Sequence, residues 1–149
     1  MSVDAAPSRP LGVLLIEDDP GDVLIAQEAL RAGNLSTRLD VVSDGVEALA
    51  YLRRQDRFGD AERPDLILLD LNLPRMSGHE VLAEVKADLS LRRIPVVVLS
   101  TSIAAEDIAK SYDLHANAYV AKPADFDDFA GVVKQIDDFF ASVAQLSAQ

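Results

Sequence analysis

Short, wholly apolar runs alternate along this chain with longer segments of helical periodicity. Leu11–Ile16 (LGVLLI), Leu66–Leu69 (LILL) and 96–99 (VVVL) show no alternation of apolar and polar residues. That is the pattern of strands buried on both faces of a parallel sheet. Weaker strands fit Thr37–Val42 and Ala118–Ala121. A first helix over 20–32 repeats apolar residues at Val23, Ala26 and Leu30, with Leu24 widening the stripe. Asp19 before Pro20 supplies an N-cap and first-turn pair, and Gly33 a stop. Asp44 with Glu47, and Ser77 with Glu80, carry the spacing of capping boxes for a second and third helix. A fourth spans about 104–114. The last, over 125–143, has apolar positions at Phe126, Phe129, Val132, Val133, Ile136, Phe139, Phe140 and Val143.

Five strand–helix units without an internal repeat or linker predict an α/β fold. The expected form is a doubly wound (βα)5, flavodoxin-like sandwich with a five-stranded parallel sheet of order 2-1-3-4-5. Ligands of such sheets bind at the carboxyl ends of strands 1 and 3. Residues 1–10, small, polar and proline-containing, are read as a disordered lead-in, 11–143 as the domain and 144–149 as a tail.

Composition narrows the function. The chain has 149 residues, 49% of them hydrophobic, enough for one full core. The absence of cysteine excludes disulfides, thiolate metal sites and a cysteine nucleophile. Acidic residues outnumber basic ones 25 to 14, a formal charge of −11, which argues against general nucleic-acid affinity. Arg53-Arg54 and Arg92-Arg93 are only pairs. With no membrane-length apolar run and no secretory signal at the start, a cytoplasmic protein without a membrane partner is expected.

The chemistry lies at the predicted strand ends. Strand 1 runs into Glu17-Asp18-Asp19, and strand 3 ends at Asp70. Neighbouring strands would converge these carboxylates, which is costly without a cation. Oxygen ligands without histidine or cysteine favour Mg2+, with Mn2+ as an alternative. Asp19 is mainly a helix cap, whereas Asp70, followed by Leu71-Asn72-Leu73-Pro74, caps nothing. Ser100 can donate to a bound anion or cap the following turn. Lys122 can balance charge or grip an anion, and a cis bond to Pro123 would fix its direction. Tyr119 on its own is more often a packing residue. Together these residues suit a metal site beside a nucleophilic carboxylate, with Lys122 and Ser100 placed to hold phosphoryl oxygens.

The stretches VLLIEDDPGD, DLILLDLNLPRMSG, IPVVVLSTS and NAYVAKP resemble the receiver domain of two-component response regulators over nearly the whole chain. The resemblance implies Asp70 as phosphoacceptor and Glu17 and Asp18 as the acidic pair at the metal, with the Asn72 backbone carbonyl as a further ligand. Ser100 would contact the phosphoryl group, Lys122 would be the family's lysine with a cis Lys122–Pro123 bond, and Tyr119 the aromatic switch. EDDPGD, DLNLPRMSG and STS more narrowly resemble single-domain regulators paired with bacterial phytochrome histidine kinases. The implied partner is a sensor histidine kinase, here a bacteriophytochrome. Because the chain is short, its output would be the face of helix 4, strand 5 and helix 5. His115-Ala116-Asn117-Ala118 departs from the family's usual Gly-Ala, so His115 must tolerate a left-handed turn.

Other readings are a non-phosphorylated docking module and a haloacid-dehalogenase-type phosphatase, the latter opposed by Asn72 where a second aspartate is required. A dinucleotide-binding domain is opposed by the acidic, glycine-poor first turn, and a histidine phosphotransfer bundle by the strands. The apolar end of the last helix fits either a homodimer seam or ordinary core packing. The charged connection Arg53 to Arg63 fits a recognition loop or a surface insertion.

Overall fold

The structure, a computed structural model, describes residues 10–32 and 37–147. Strands β1 (Leu11–Ile16), β2 (Thr37–Val42), β3 (Leu66–Leu69), β4 (Val96–Ser100) and β5 (Ala118–Ala121) pair in parallel in the order β2-β1-β3-β4-β5. Helices α1 (Pro20–Ala32), α2 (Gly45–Leu52), α3 (Gly78–Ala87), α4 (Ala105–Asp113) and α5 (Phe126–Asp138) alternate with them. This is the predicted flavodoxin-like α/β fold. The lead-in over residues 1–9, the stop at Gly33 and the end of the tail lie outside the described residues. Among those described, no helix is long and apolar enough to cross a membrane.

The continuous apolar runs are explained by two cores, one on each face of the sheet. Leu14, Ile16, Ile67, Leu69, Val96 and Val98 point into one, packed with α2 and α3. Val13, Leu15, Leu66, Leu68, Val97 and Leu99 point into the other, with α1 and α5. Period-two geometry sends neighbouring side chains to opposite faces, so strands buried on both must be apolar throughout.

Local signals set most helix starts. Asp19 caps α1 by accepting from the N–H groups of Gly21 (2.8 Å) and Asp22 (3.3 Å). Ser77 and Glu80 form the reciprocal box at α3. At α2 the box is incomplete: Asp44 accepts from Glu47 N–H, but the Glu47 carboxylate reaches back to Ser43 and pairs with Arg57. Gly78 is obligatory at the head of α3, because a Cβ there would lie 2.2 Å from the Asp70 carbonyl oxygen. This contact presses α3 against the end of β3.

The apolar stripes need correction. Leu24 is 57% exposed, since it lies about 200° round the helix from buried Ala26. In α5, Phe129 and Val133 are buried while Phe126 is exposed. The helix continues into a π-helical turn over Phe139–Val143, where Phe139 and Val143 also face outward.

His115 adopts φ 73°. Its N–H bonds the Tyr112 carbonyl and that of Ala116 the Ser111 carbonyl, the two bonds of a Schellman ending, so the left-handed turn is kept without glycine. The Asn117 carboxamide oxygen then accepts from Val96 N–H and from Lys86 Nζ. The ammonium also donates to the carbonyls of Arg92 and Ile94, joining α3 to the entries of β4 and β5. Burial lowers the Lys86 pKa.

The connection from Arg53 to Arg63 contains a 3-10 turn, Asp56–Phe58, and is anchored. Phe58 meets the Tyr51 ring edge to face with centroids 5.4 Å apart, and Arg57 lies over Phe58. Tyr51 donates its hydroxyl to Asp40 (2.8 Å). Burial and that carboxylate push the Tyr51 hydroxyl up to about 12. Because the folded state holds this proton more tightly, the associated stability is complete below the ordinary tyrosine value and is lost as pH rises through about 12. Ultraviolet titration should show one of the three tyrosines ionising late, and Tyr51→Phe should remove that step.

Candidate functional site

Sheet-type hydrogen bonds running past the strand ends position the acidic residues and the lysine. Glu17 N–H donates to the Val42 carbonyl (3.0 Å), Asp70 N–H to that of Ile16 (3.1 Å) and Lys122 N–H to that of Ser100 (2.7 Å). Each functional residue therefore continues the ladder by one step beyond an apolar strand. Their side chains meet in a cleft of about 500 Å³ whose lining includes Asp18, Asp22, Asn72 and Thr101 beside Glu17, Asp70 and Lys122.

Glu17, Asp18 and Asp70 each present a carboxylate oxygen, all within 4.8 Å of one another. Glu17 and Asp70 are buried and Asp18 is exposed, so the group opens to solvent on one side. All three are hard oxygen donors, and converging anions require a cation, so the donor set fits a divalent ion of the Mg2+ or Mn2+ kind. Asn72 donates its N–H to Asp70 Oδ1 at 3.4 Å, a long contact that keeps the turn beside the carboxylate.

Lys122 supplies the positive charge held by the chain itself. Its side chain is 5% exposed, and Nζ lies 2.5 Å from Glu17 Oε1, 2.8 Å from Asp22 Oδ2 and 3.5 Å from Asp70 Oδ2. Burial disfavours its ammonium, but hydrogen bonds from Asp22 and Glu17, together with the charge of Asp70, outweigh this and raise its pKa. Burial pushes Glu17 up to about 7, against the Lys122 hydrogen bond and with the repulsion of Asp70. The Lys122–Pro123 bond is trans, since no cis peptide bond occurs among the described residues. The lysine reaches the carboxylates through its backbone bond to Ser100, and trans is the lower-energy X-Pro form.

Ser100 and Tyr119 are not cleft-lining groups. Ser100 is fully buried at the end of β4, and its Oγ accepts from Ser102 N–H at 3.2 Å. Tyr119, half-buried, donates its hydroxyl to the Ser102 carbonyl at 2.8 Å. Ser102 also donates its own hydroxyl to Asp107 in α4 (2.6 Å) and accepts from Ala104 N–H. Two residues thus join the predicted set: Ser102, where the hydroxyl and aromatic candidates meet, and Asp22, the second close partner of Lys122. The STS run and the acid at the end of EDDPGD were their only traces in the sequence.

The chain is similar in sequence and fold to known proteins. Residues 13–134 match the response regulator receiver domain family. The response regulator Rcp1 of Synechocystis sp. is 41% identical over 148 residues, covering 99% of each chain. The phosphorylated cyanobacterial phytochrome response regulator RcpA is 49% identical in its crystal structure, with a TM-score of 0.90 over 93% of this chain and 99% of its own. The Mn2+-bound crystal structure of Rcp1 is 42% identical with a TM-score of 0.89, covering 93% and 100%.

Removing Lys122 would leave buried carboxylates without their counter-ion. Lys122→Ala should cost about 3–5 kcal/mol of stability in EDTA by urea unfolding. Saturating Mg2+ should restore more stability to this variant than it adds to the parent.

Proposed function

Because this chain belongs to the response regulator receiver domain family, we propose that it takes a phosphoryl group from a sensor histidine kinase onto Asp70, with Mg2+ or Mn2+ at the acidic cluster. It is a receiver and not a classical enzyme, and the phosphatase reading falls to the family match. The observation that carries the assignment is the position of Asp70: buried, next to Glu17 and Asp18, within reach of Lys122 and open to the cleft.

Asp70 attacks phosphorus roughly in line. An oxygen–phosphorus bond forms at the carboxylate as the phosphorus–nitrogen bond of a phosphohistidine breaks. The electron pair leaves with the imidazole nitrogen, and the product is an acyl phosphate. Glu17, Asp18, Asp70 and the Asn72 carbonyl would hold the metal, which when bound offsets charge on the transferring oxygens. Lys122 provides a fixed positive charge beside the three carboxylates, whose oxygens already converge within 4.8 Å.

The Ser100 hydroxyl is the group that a phosphoryl oxygen would recruit. Moving it breaks the bond from Ser102 N–H, and Ser102 is also held by the Tyr119 hydroxyl and linked to Asp107. A change at Ser100 therefore loosens the β4–α4 loop and the contact that anchors Tyr119. The output is the face of α4, β5 and α5.

The similarity to the cyanobacterial phytochrome response regulator RcpA and to the bacteriophytochrome response regulators RtBRR and AtBRR supports a phytochrome histidine kinase, a bacteriophytochrome, as the donor. Exposed Phe139 and Val143 at the end of α5 support a homodimer on this side of the molecule. Its elution volume in size exclusion should shift with protein concentration, and Phe139→Asp should hold it at the monomer position.

Incubation with acetyl phosphate and Mg2+ should add one phosphoryl group, and Asp70→Asn should abolish uptake. Persistence of an acid-stable, hydroxylamine-labile acyl phosphate in that variant would overturn the assignment. A wild-type chain that neither small donors nor its kinase can label would instead be a docking module.

A further inference from the structure

Asp22 is the one acid of the cleft that neither the metal cluster nor the helix cap explains. It stands in the first turn of α1, three residues after the capping Asp19. In α3 the acid at that position, Glu80, turns back to the N–H of its cap residue. Asp22 makes no such bond: Asp19 N–H goes to Glu17 Oε2 at 3.2 Å, and the Asp22 carboxylate goes to Lys122. It is also absent from the three carboxylates that converge for a cation.

An ammonium has three N–H donors, and all three carboxylates around Lys122 lie within reach: Glu17, Asp22 and, more distantly, Asp70. The two short contacts, to Glu17 and Asp22, hold the ammonium back from Asp70, so a phosphoryl group there gains a close bond from the lysine only by drawing it away from one of them. Glu17 is 3% exposed and belongs to the metal cluster, so leaving it unpaired is costly. Asp22 is 24% exposed, and water can replace the lysine there.

We infer that Asp22 is a positioning residue that holds the Lys122 ammonium between transfers and competes with the phosphoryl group for it. This rests on Asp70 being the phosphoacceptor. Asp22 holds the lysine nearer to itself (2.8 Å) than to the nucleophilic carboxylate (3.5 Å) before transfer and weakens its hold on the phosphoryl group afterwards. The lifetime of the phosphorylated state is thereby set partly by a residue that touches neither the metal nor the reacting atoms.

Beryllofluoride, a non-covalent mimic of the phosphoryl group, reads this competition without chemistry. With saturating Mg2+ and the full chain, Asp22→Asn should bind it about five-fold more tightly than the parent. Asp22→Glu, which keeps a carboxylate, should stay within about two-fold. Asp19→Asn removes the same charge from the same rim, keeps a capping residue and does not touch the lysine, so it should also stay within about two-fold. Unchanged or weaker binding in Asp22→Asn overturns the inference, as does an equal gain in Asp19→Asn, which would assign the effect to overall charge. A parent chain that binds no beryllofluoride overturns the receiver reading itself. Binding by the parent with no response at Asp22 overturns only the role of Asp22.

Discussion

The site depends on one electrostatic constraint: several carboxylates are held at the ends of an apolar sheet with a single ammonium among them. Glu17 and Asp70 are buried because the ladder of β1 and β3 carries them one step beyond strands that are wholly apolar. Their mutual repulsion opposes folding, and Lys122, delivered from β5 by the same kind of backbone bond, offsets it. The compensation is incomplete. What remains is an anionic, oxygen-lined cleft with an open side, and that residual charge is what attracts a divalent ion. The repulsion that costs stability is thus also what favours a bound cation, which a fully neutralised cluster would not do.

From this cluster, physical links lead outward. Lys122 N–H is bonded to Ser100, Ser100 accepts from Ser102, and Ser102 is held by Tyr119 and joined to Asp107 at the start of α4. Ser111, fully buried in α4, bonds the Asp107 carbonyl and meets His79 of α3. The β4–α4 loop is thus suspended between the cleft and the outer face by hydrogen bonds rather than by a packed core. Such bonds exchange partners at modest net cost, whereas the core on either side of the sheet does not repack easily. This contrast makes the loop the compliant element of an otherwise rigid sandwich.

Much of this was legible along the chain. The bounds of β1 and β3 follow from apolar runs, because burial on both faces leaves no polar option, whereas β2 and β5 are the half-buried edges of the sheet and carry a weaker signal. The caps at Asp19 and Ser77 follow from local sequence, because the bonds involved span two or three residues. Glu47 shows where such reasoning stops: its spacing fits a box, but Ser43 and Arg57 compete for the carboxylate. Leu24 fits an apolar stripe and is exposed, because stripe membership depends on which arc of the helix the sheet and α5 cover. Asp22 and Ser102 carried little signal of their own, since their partners lie across the fold or depend on the path of a loop.

The amino-acid sequence alone determined the class of fold, the elements, and the residue types waiting at the strand ends, because these follow from periodicity and contacts a few residues apart. Tertiary structure decided which carboxylate pairs with which cation. Lys122 is 100 residues from Asp22 and 105 from Glu17, and only the parallel order β2-β1-β3-β4-β5 brings them within hydrogen-bond distance. It also decided that Ser100 and Tyr119 both bond to Ser102, and that Lys122–Pro123 is trans. The physical reason is range. Hydrophobic patterning and capping are local properties of a chain, whereas the energy of a charge depends on every charge that folding brings near it.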